Sequence, residues 1–411
     1  MKKLVAVTLG IMTALGGFLD LGQIVFTMQA GALFGYTLMW AVVLGTAAII
    51  VYMEMCGRIA VVAKEPVFSV VRNHLGFPLG LTKLIASNLL NVITCAAELG
   101  GLVIIVRLLT GWPERPLMIG IPLLLGLAVF LLKFDWIERI FGLWGLMMIV
   151  FAVSASALHP DWHALARGMV PLVVQPDAKH ALLYGYFAVG IFSAVLMEYE
   201  VHFYSSGALE EDWTPKDLGQ NFMVAALGAL FGALLTVALL VLGALVFLPH
   251  GVFPELLSTT IIAGAFPFGQ KALVVSLLGT VACLAGASIE TALSGAYNVC
   301  QFFNFEWGKN RPAKSVPAFA ITWIGMFVVA LAITLTGVRP LELVDISIIF
   351  GMVVMPFTYY PILKVAADKK IMGIHVNSKL LTVVAFIFLA LITVAAVGAI
   401  PLLIATHSGQ P

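Results

Sequence analysis

Charge is what this sequence has least of. Asp, Glu, Lys and Arg make up 10% of its 411 residues, 22 basic against 21 acidic, while 61% are hydrophobic. The mean hydropathy is +1.06. That balance excludes a soluble globule and marks an integral membrane protein. A net charge of +1 offers nothing to a nucleic acid or another polyanion. Cysteine is scarce too. Cys56, Cys95, Cys283 and Cys300 lie in or beside hydrophobic runs without paired zinc-ligand spacing, so they read as buried thiols. No nucleophile–base pairing or metal-hydrolase spacing appears, which argues against an enzyme and against a resident cofactor. There is no low-complexity tract and no separate soluble domain. The expectation is one transmembrane domain over 1–411, surrounded by lipid and without an obligatory protein partner.

What is there is apolar and long. Eleven runs stand out, at 5–31, 35–61, 80–109, 117–133, 139–158, 181–207, 219–248, 268–303, 316–337, 342–365 and 378–405. Most reach the length of about 20 residues that a membrane-crossing helix needs, so the fold class is all-α. The N-terminus lacks a small-residue cleavage site after a short apolar core and reads as the first span. With that terminus inside, 16 of the 22 Lys and Arg residues fall on the cytoplasmic side, Lys83 among them. Only Arg107, Arg115, Arg167, Lys179, Lys271 and Arg339 fall outside. The bias orients the chain with its C-terminus outside, in what is expected to be a bacterial cytoplasmic membrane.

The first run is built badly for an anchor. Its centre reads Gly16-Gly17-Phe18-Leu19-Asp20-Leu21-Gly22-Gln23, with three glycines, a carboxylate and an amide. A charge at that depth costs about 3 kcal/mol unless a partner or a cavity relieves it. Glycine inside a helix costs about 1 kcal/mol more and lets the backbone leave the helix. The reading is a broken helix whose carbonyls and carboxylate hold a cation at the midplane. The alternative is an Asp that only fixes helix packing. Run six repeats the design, with Gly185 and Gly190, then Met197-Glu198-Tyr199-Glu200 and a polar tail from His202. Asp20 and Glu198 are 178 positions apart, and Glu98 and Glu290 are 192 apart. These spacings fit two inverted five-helix halves, about 1–158 and 181–365, with 378–405 appended. Asn88, Asn91, Cys95 and Glu98 form one polar stripe on run three, and Glu290, Ser294, Tyr297, Asn298 and Gln301 another on run eight. Such stripes turn inward, to line a permeation path or to glue helices together.

The first-run block continues as Met28-Gln29-Ala30-Gly31-Ala32-Leu33-Phe34-Gly35-Tyr36. Together the two stretches resemble the first helix of the Nramp metal-ion transporters, where Asp-Pro-Gly-Asn precedes Gln-Ala-Gly and Phe-Gly-Tyr. Similar phrasing recurs in Met355-Pro356-Phe357, Asp368-Lys369-Lys370 and Met372-Gly373, so the likeness spans nearly the whole chain. It implies a LeuT-type fold with eleven transmembrane helices, helices one and six broken, and uptake of a divalent metal commonly driven by protons. Carried over residue by residue, the implied ligands are Asp20, Gln23 and Met197 with the carbonyls of Gly17 and Ala194. The departures are equally definite. The family's proline and asparagine in helix one are Leu21 and Gln23 here. Its helix-six Met-Pro-His-Asn falls on Met197-Glu198-Tyr199-Glu200, its second histidine on Tyr204, and its acidic pair in helix three is reduced to Glu98 beside Cys95. The likeness therefore extends to metal transport and not to proton coupling through the usual groups.

Glu198 and Glu200 add oxygen and negative charge to that ligand set, whereas the Met197 thioether selects softer transition metals. The two glutamates cannot face one way in a helix but share a face in an unwound strand. A cluster of Asp20, Glu198 and Glu200 with no internal Lys or Arg needs a multivalent cation or a protonated member. Glu98, Asn91, Tyr199, Glu290 and His202 are candidates for a proton path or the cavity lining, with His202 either a relay or a hydrogen-bonded packing residue. The expected function is transport of a divalent cation of the manganese, magnesium or iron class by alternating access. The alternative is a LeuT-fold carrier of a small organic solute or amino acid.

Overall fold

The computed structural model describes residues 19–132, 134–171, 175 and 177–410. Gly17 and the first half of run one lie outside the described residues. Every regular element among the described residues is helical. In chain order they include α1 (Leu21–Phe34), α2 (Met39–Ala63), α3 (Val67–Leu75), α4 (Phe77–Thr110) and α5 (Glu114–Leu131). Next come α6 (Arg139–Ala157, with one 3₁₀ turn), α7 (Ala178–Leu196), α8 (Glu198–Glu210) and α9 (Leu218–Leu242). The last are α10 (Gln270–Phe303), α11 (Pro317–Leu335), α12 (Pro340–Val354), α13 (Pro356–Ala366) and α14 (Lys379–Ala405). Counting α7 with α8 and α12 with α13, ten spans are long and apolar enough to cross a membrane, and α1 is a shorter apolar helix. The eleven runs therefore correspond to eleven helical segments.

Punctuation in the sequence sets the ends. Proline opens α11, α12 and α13, where its missing N–H costs nothing. Asp177 caps α7 by accepting from the His180 amide at 2.8 Å, and that bond holds its carboxyl below the usual carboxylate range. Gly111 ends α4 in the left-handed region at φ 69°. Two connections between the apolar runs carry helices of their own. Residues 64–76 contain α3, which buries Val67, Phe68, Val70 and Val71, and residues 159–180 contain Trp162–Arg167.

Burial sorts the spans. The apolar windows of α4 and α10 are 78% and 72% buried, so these two 34-residue helices form the centre. Those of α5 and α14 are only 17% and 22% buried, so they present leucine, valine and isoleucine outward as lipid-facing spans. The two polar stripes meet between α4 and α10. Asn298 Nδ2 donates to Asn88 Oδ1 at 3.2 Å, and Cys95 Sγ to the Ser288 carbonyl at 3.4 Å. At these positions the stripes hold helices together.

α1 lies backbone to backbone against the end of α9 and the π turn Gly243–Phe247. A Cβ on Gly31 would stand 2.1 Å from the Leu240 carbonyl oxygen, and one on Gly243 would stand 2.2 Å from that of Met28. Neither neighbour is a flexible side chain. Gly31→Ala is therefore expected to destabilise the protein by about 1–3 kcal/mol. Gly120→Ala, where a Cβ meets nothing within 4 Å, should be neutral or gain up to about 1 kcal/mol. Thermal unfolding of the two variants in detergent checks the contrast; equal midpoints would mean that the α1 contact is not tight.

Candidate functional site

Two helix ends meet at the centre. Leu19 and Asp20 are non-helical, and Asp20, in extended conformation, caps α1 by accepting from the Gln23 amide through Oδ1 at 2.7 Å. The Leu21 amide donates to Glu98 Oε1 of α4 at 2.9 Å, and Cys283 Sγ of α10 donates to the Leu19 carbonyl. A helix start leaves four N–H groups without intrahelical partners, and here side chains from two positions collect two of them. Run six is interrupted at one residue. Met197 leaves the helical region, at φ −6° and ψ 115°, between α7 and α8. The Tyr359 hydroxyl donates to the Leu196 carbonyl and Ser294 Oγ to that of Tyr199 at 3.3 Å. The break in run six is thus one residue long and not an unwound segment: Gly185 and Gly190 stay inside α7, and α8 resumes at Glu198.

Between the breaks lies a cavity of about 30 Å³, lined by Asp20, Ala194, Met197, Glu198, Tyr199 and, from α13's start, Met355. It holds roughly one water-sized guest. Ser193 and Gly351 also border it, and Ser193 Oγ donates to the Ile348 carbonyl at 2.6 Å. Ala194 is in the last turn of α7, where helix carbonyls lack intrahelical donors. Among the described residues, no three His, Cys, Asp or Glu side chains form a ready metal cage. The donor set around the cavity is mixed: one capping carboxylate, thioethers and helix-end carbonyls.

The remaining predicted residues distribute as follows. Gln23 is buried and its Oε1 takes no hydrogen bond. Glu200 is buried, with Oε1 unbonded, within Coulombic reach of Asp20. Glu98 spends Oε1 on the α1 cap. Asn91 is buried on α4, and Glu290 of α10 lies near Tyr199 and Cys283. His202 is 1% exposed, neither ring nitrogen makes a hydrogen bond, and its ring meets Phe68 edge-on at 5.2 Å. It is held by burial against Phe68, with Nε2 3.6 Å from Glu198 Oε1. With α8 helical from Glu198, the shared-face option for Glu198 and Glu200 does not occur.

One expectation is overturned. The sequence pattern gives the acids no internal cation and counts Lys83 among the cytoplasmic charges. Lys83 instead points into the bundle, 3% exposed, and pairs directly with Glu198. Ser87 Oγ and Thr358 Oγ1 donate to the same Glu198 oxygen at 2.9 and 2.8 Å. The signal was present: Lys83, Ser87 and Asn91 recur every four residues and extend the polar face of run three. Phe68, Thr358 and Met355 carried no such signal.

A family model for natural resistance-associated macrophage protein-like proteins matches residues 10–401. The chain belongs to the Nramp family. This Nramp chain is 24% identical over 405 residues to the divalent metal cation transporter MntH of Listeria innocua, covering 92% of this chain and 86% of that one. In structure it resembles the manganese transporter of Eremococcus coleocola, crystallised with an aromatic bis-isothiourea compound, at TM-score 0.75 and 20% identity over 96% of this chain and 85% of that one. It also resembles MhsT in complex with L-phenylalanine, at TM-score 0.59 and 15% identity, covering 97% and 98% of the two chains. These likenesses establish the LeuT-type fold. The Nramp chain is an integral membrane protein whose regular elements, among the described residues, are all helices.

If Glu98 is the cap that lets span one break, the acceptor matters and its charge does not. Glu98→Gln, which keeps an oxygen for the Leu21 amide, is expected to unfold within a few degrees of the parent. Glu98→Leu orphans that buried N–H and should cost about 1–3 kcal/mol, read from thermal unfolding in detergent. Equal losses in both would place the importance of Glu98 elsewhere.

Proposed function

We propose that this chain carries a divalent metal cation, of the manganese, magnesium or iron class, across the membrane by alternating access. The single observation behind the reading is the ion-sized cavity between two helix interruptions, with Asp20 and Met197 among the residues that line it. Asp20 and Met197 are the proposed ligands, with the Ala194 carbonyl from the end of α7. Gln23, Glu200 and the Gly17 carbonyl complete the set from the same two spans. Met355 offers a second sulfur and tilts the site toward softer ions. The halves about 1–158 and 181–365 are the units that rock about the cation, with the N-terminus cytoplasmic and the C-terminus outside.

Of the family's usual proton-coupling groups only Glu98 of helix three is kept, so the reading includes no coupling step. Pockets for organic ligands commonly span about 300–1,000 Å³, far above this cavity, which disfavours an amino acid or similar solute at the site.

Calorimetry with the purified full-length chain tests the proposal. Manganese should bind, and Asp20→Ala should abolish the heat. Met197→Ala should weaken manganese and cadmium by about tenfold while weakening magnesium much less. Binding of an amino acid and of no divalent ion would sink the reading; equal weakening for all three ions would remove the sulfur from the ligand set.

A further inference from the structure

The Lys83–Glu198 pair has no part in the ligand set above, yet Glu198 borders the cavity. Both residues are 3% exposed. One Glu198 oxygen collects Lys83 and Ser87 from α4 and Thr358 from α13, and His202 Nε2 stands 3.6 Å away. Lys83 Nζ also lies 2.5 Å from Ser87 Oγ and 5.1 Å from the centre of the Phe68 ring. All of the Glu198 contacts fall on Oε1, while Oε2 makes no hydrogen bond. The ammonium beside it offsets the carboxylate's charge, so a cavity-lining acid carries its own fixed counter-cation.

We propose that Lys83 is a tethered counter-cation that offsets the charge of Glu198 and so sets the net charge of the cation cavity. Asp20 then remains as the uncompensated carboxylate on the cavity wall, with Glu200 within Coulombic reach of it. Lys83 is thus a specificity-determining residue that never touches the substrate. The inference rests on the proposed cation transport and deepens it. Without Lys83, two acidic side chains would face one small volume, and a divalent ion would be held too tightly to leave. Without Glu198, an unpaired ammonium would face the same volume and repel any cation.

The two single variants therefore have opposite signs, which a merely structural ion pair would not produce. Manganese titration calorimetry on the full-length protein should show about tenfold tighter binding for Lys83→Met and about tenfold weaker binding for Glu198→Gln. The double variant K83M/E198Q should return to within about threefold of the parent. Lys83→Met binding that is weaker or unchanged overturns the proposal. A double variant as weak as Glu198→Gln overturns it too, because Glu198 would then be a ligand. Should Lys83→Met fail to fold, Lys83→Arg near the parent, weak Glu198→Gln and a recovered double variant uphold it; any other pattern overturns it. A parent protein that gives no heat with manganese removes the cation reading itself and this inference with it. Parent binding with the wrong signs removes this inference alone.

Discussion

A helix that stops inside lipid releases backbone groups that no water can satisfy, and everything central in this structure follows from returning them to partners. At the start of α1 the Leu21 amide goes to Glu98 and the Gln23 amide to Asp20. The Leu19 carbonyl goes to Cys283, the Leu196 carbonyl to Tyr359 and the Tyr199 carbonyl to Ser294. Most of these partners come from α4, α10 and α13, not from the interrupted spans. The interruptions are therefore stabilised by the assembled bundle and not by the broken spans alone.

The same requirement divides the buried acids by task. In composition Asp20, Glu98, Glu198, Glu200 and Glu290 look like one anionic cluster. In space they are separated by what each is bonded to. Glu98 serves as a helix cap, Glu198 is neutralised by Lys83, and Asp20 caps α1 while bordering the cavity. Removing a partner from any of them leaves an uncompensated group in a dry interior, which is costlier than the bond itself is stabilising.

Close packing completes the arrangement. Gly31 and Gly243 let α1 touch α9's end through backbone, and Phe68 from the short α3 covers the Lys83–His202 side of α8. The aromatic and glycine contacts add no charge. They exclude water, which keeps the few polar contacts strong.

The sequence by itself determined the membrane class, the eleven apolar segments and the irregularity at Asp20. Hydropathy and helix breaking are local: a run of about 20 apolar residues, or a Gly-Gly-Phe-Leu-Asp interruption, says the same thing whatever surrounds it. With the family resemblance it also named Asp20, Ala194, Met197, Glu198 and Tyr199, which line one cavity, whereas Gln23 and Glu200, named for the same site, do not line it. What only the tertiary structure decided was which acid meets which partner. Lys83 and Glu198 are 115 residues apart and Leu21 and Glu98 are 77 apart, and nothing in either neighbourhood names the other. Charge pairing inside a bundle depends on rotation and depth of whole helices, which pattern alone leaves open, so the role of each carboxylate emerged only when the spans were packed.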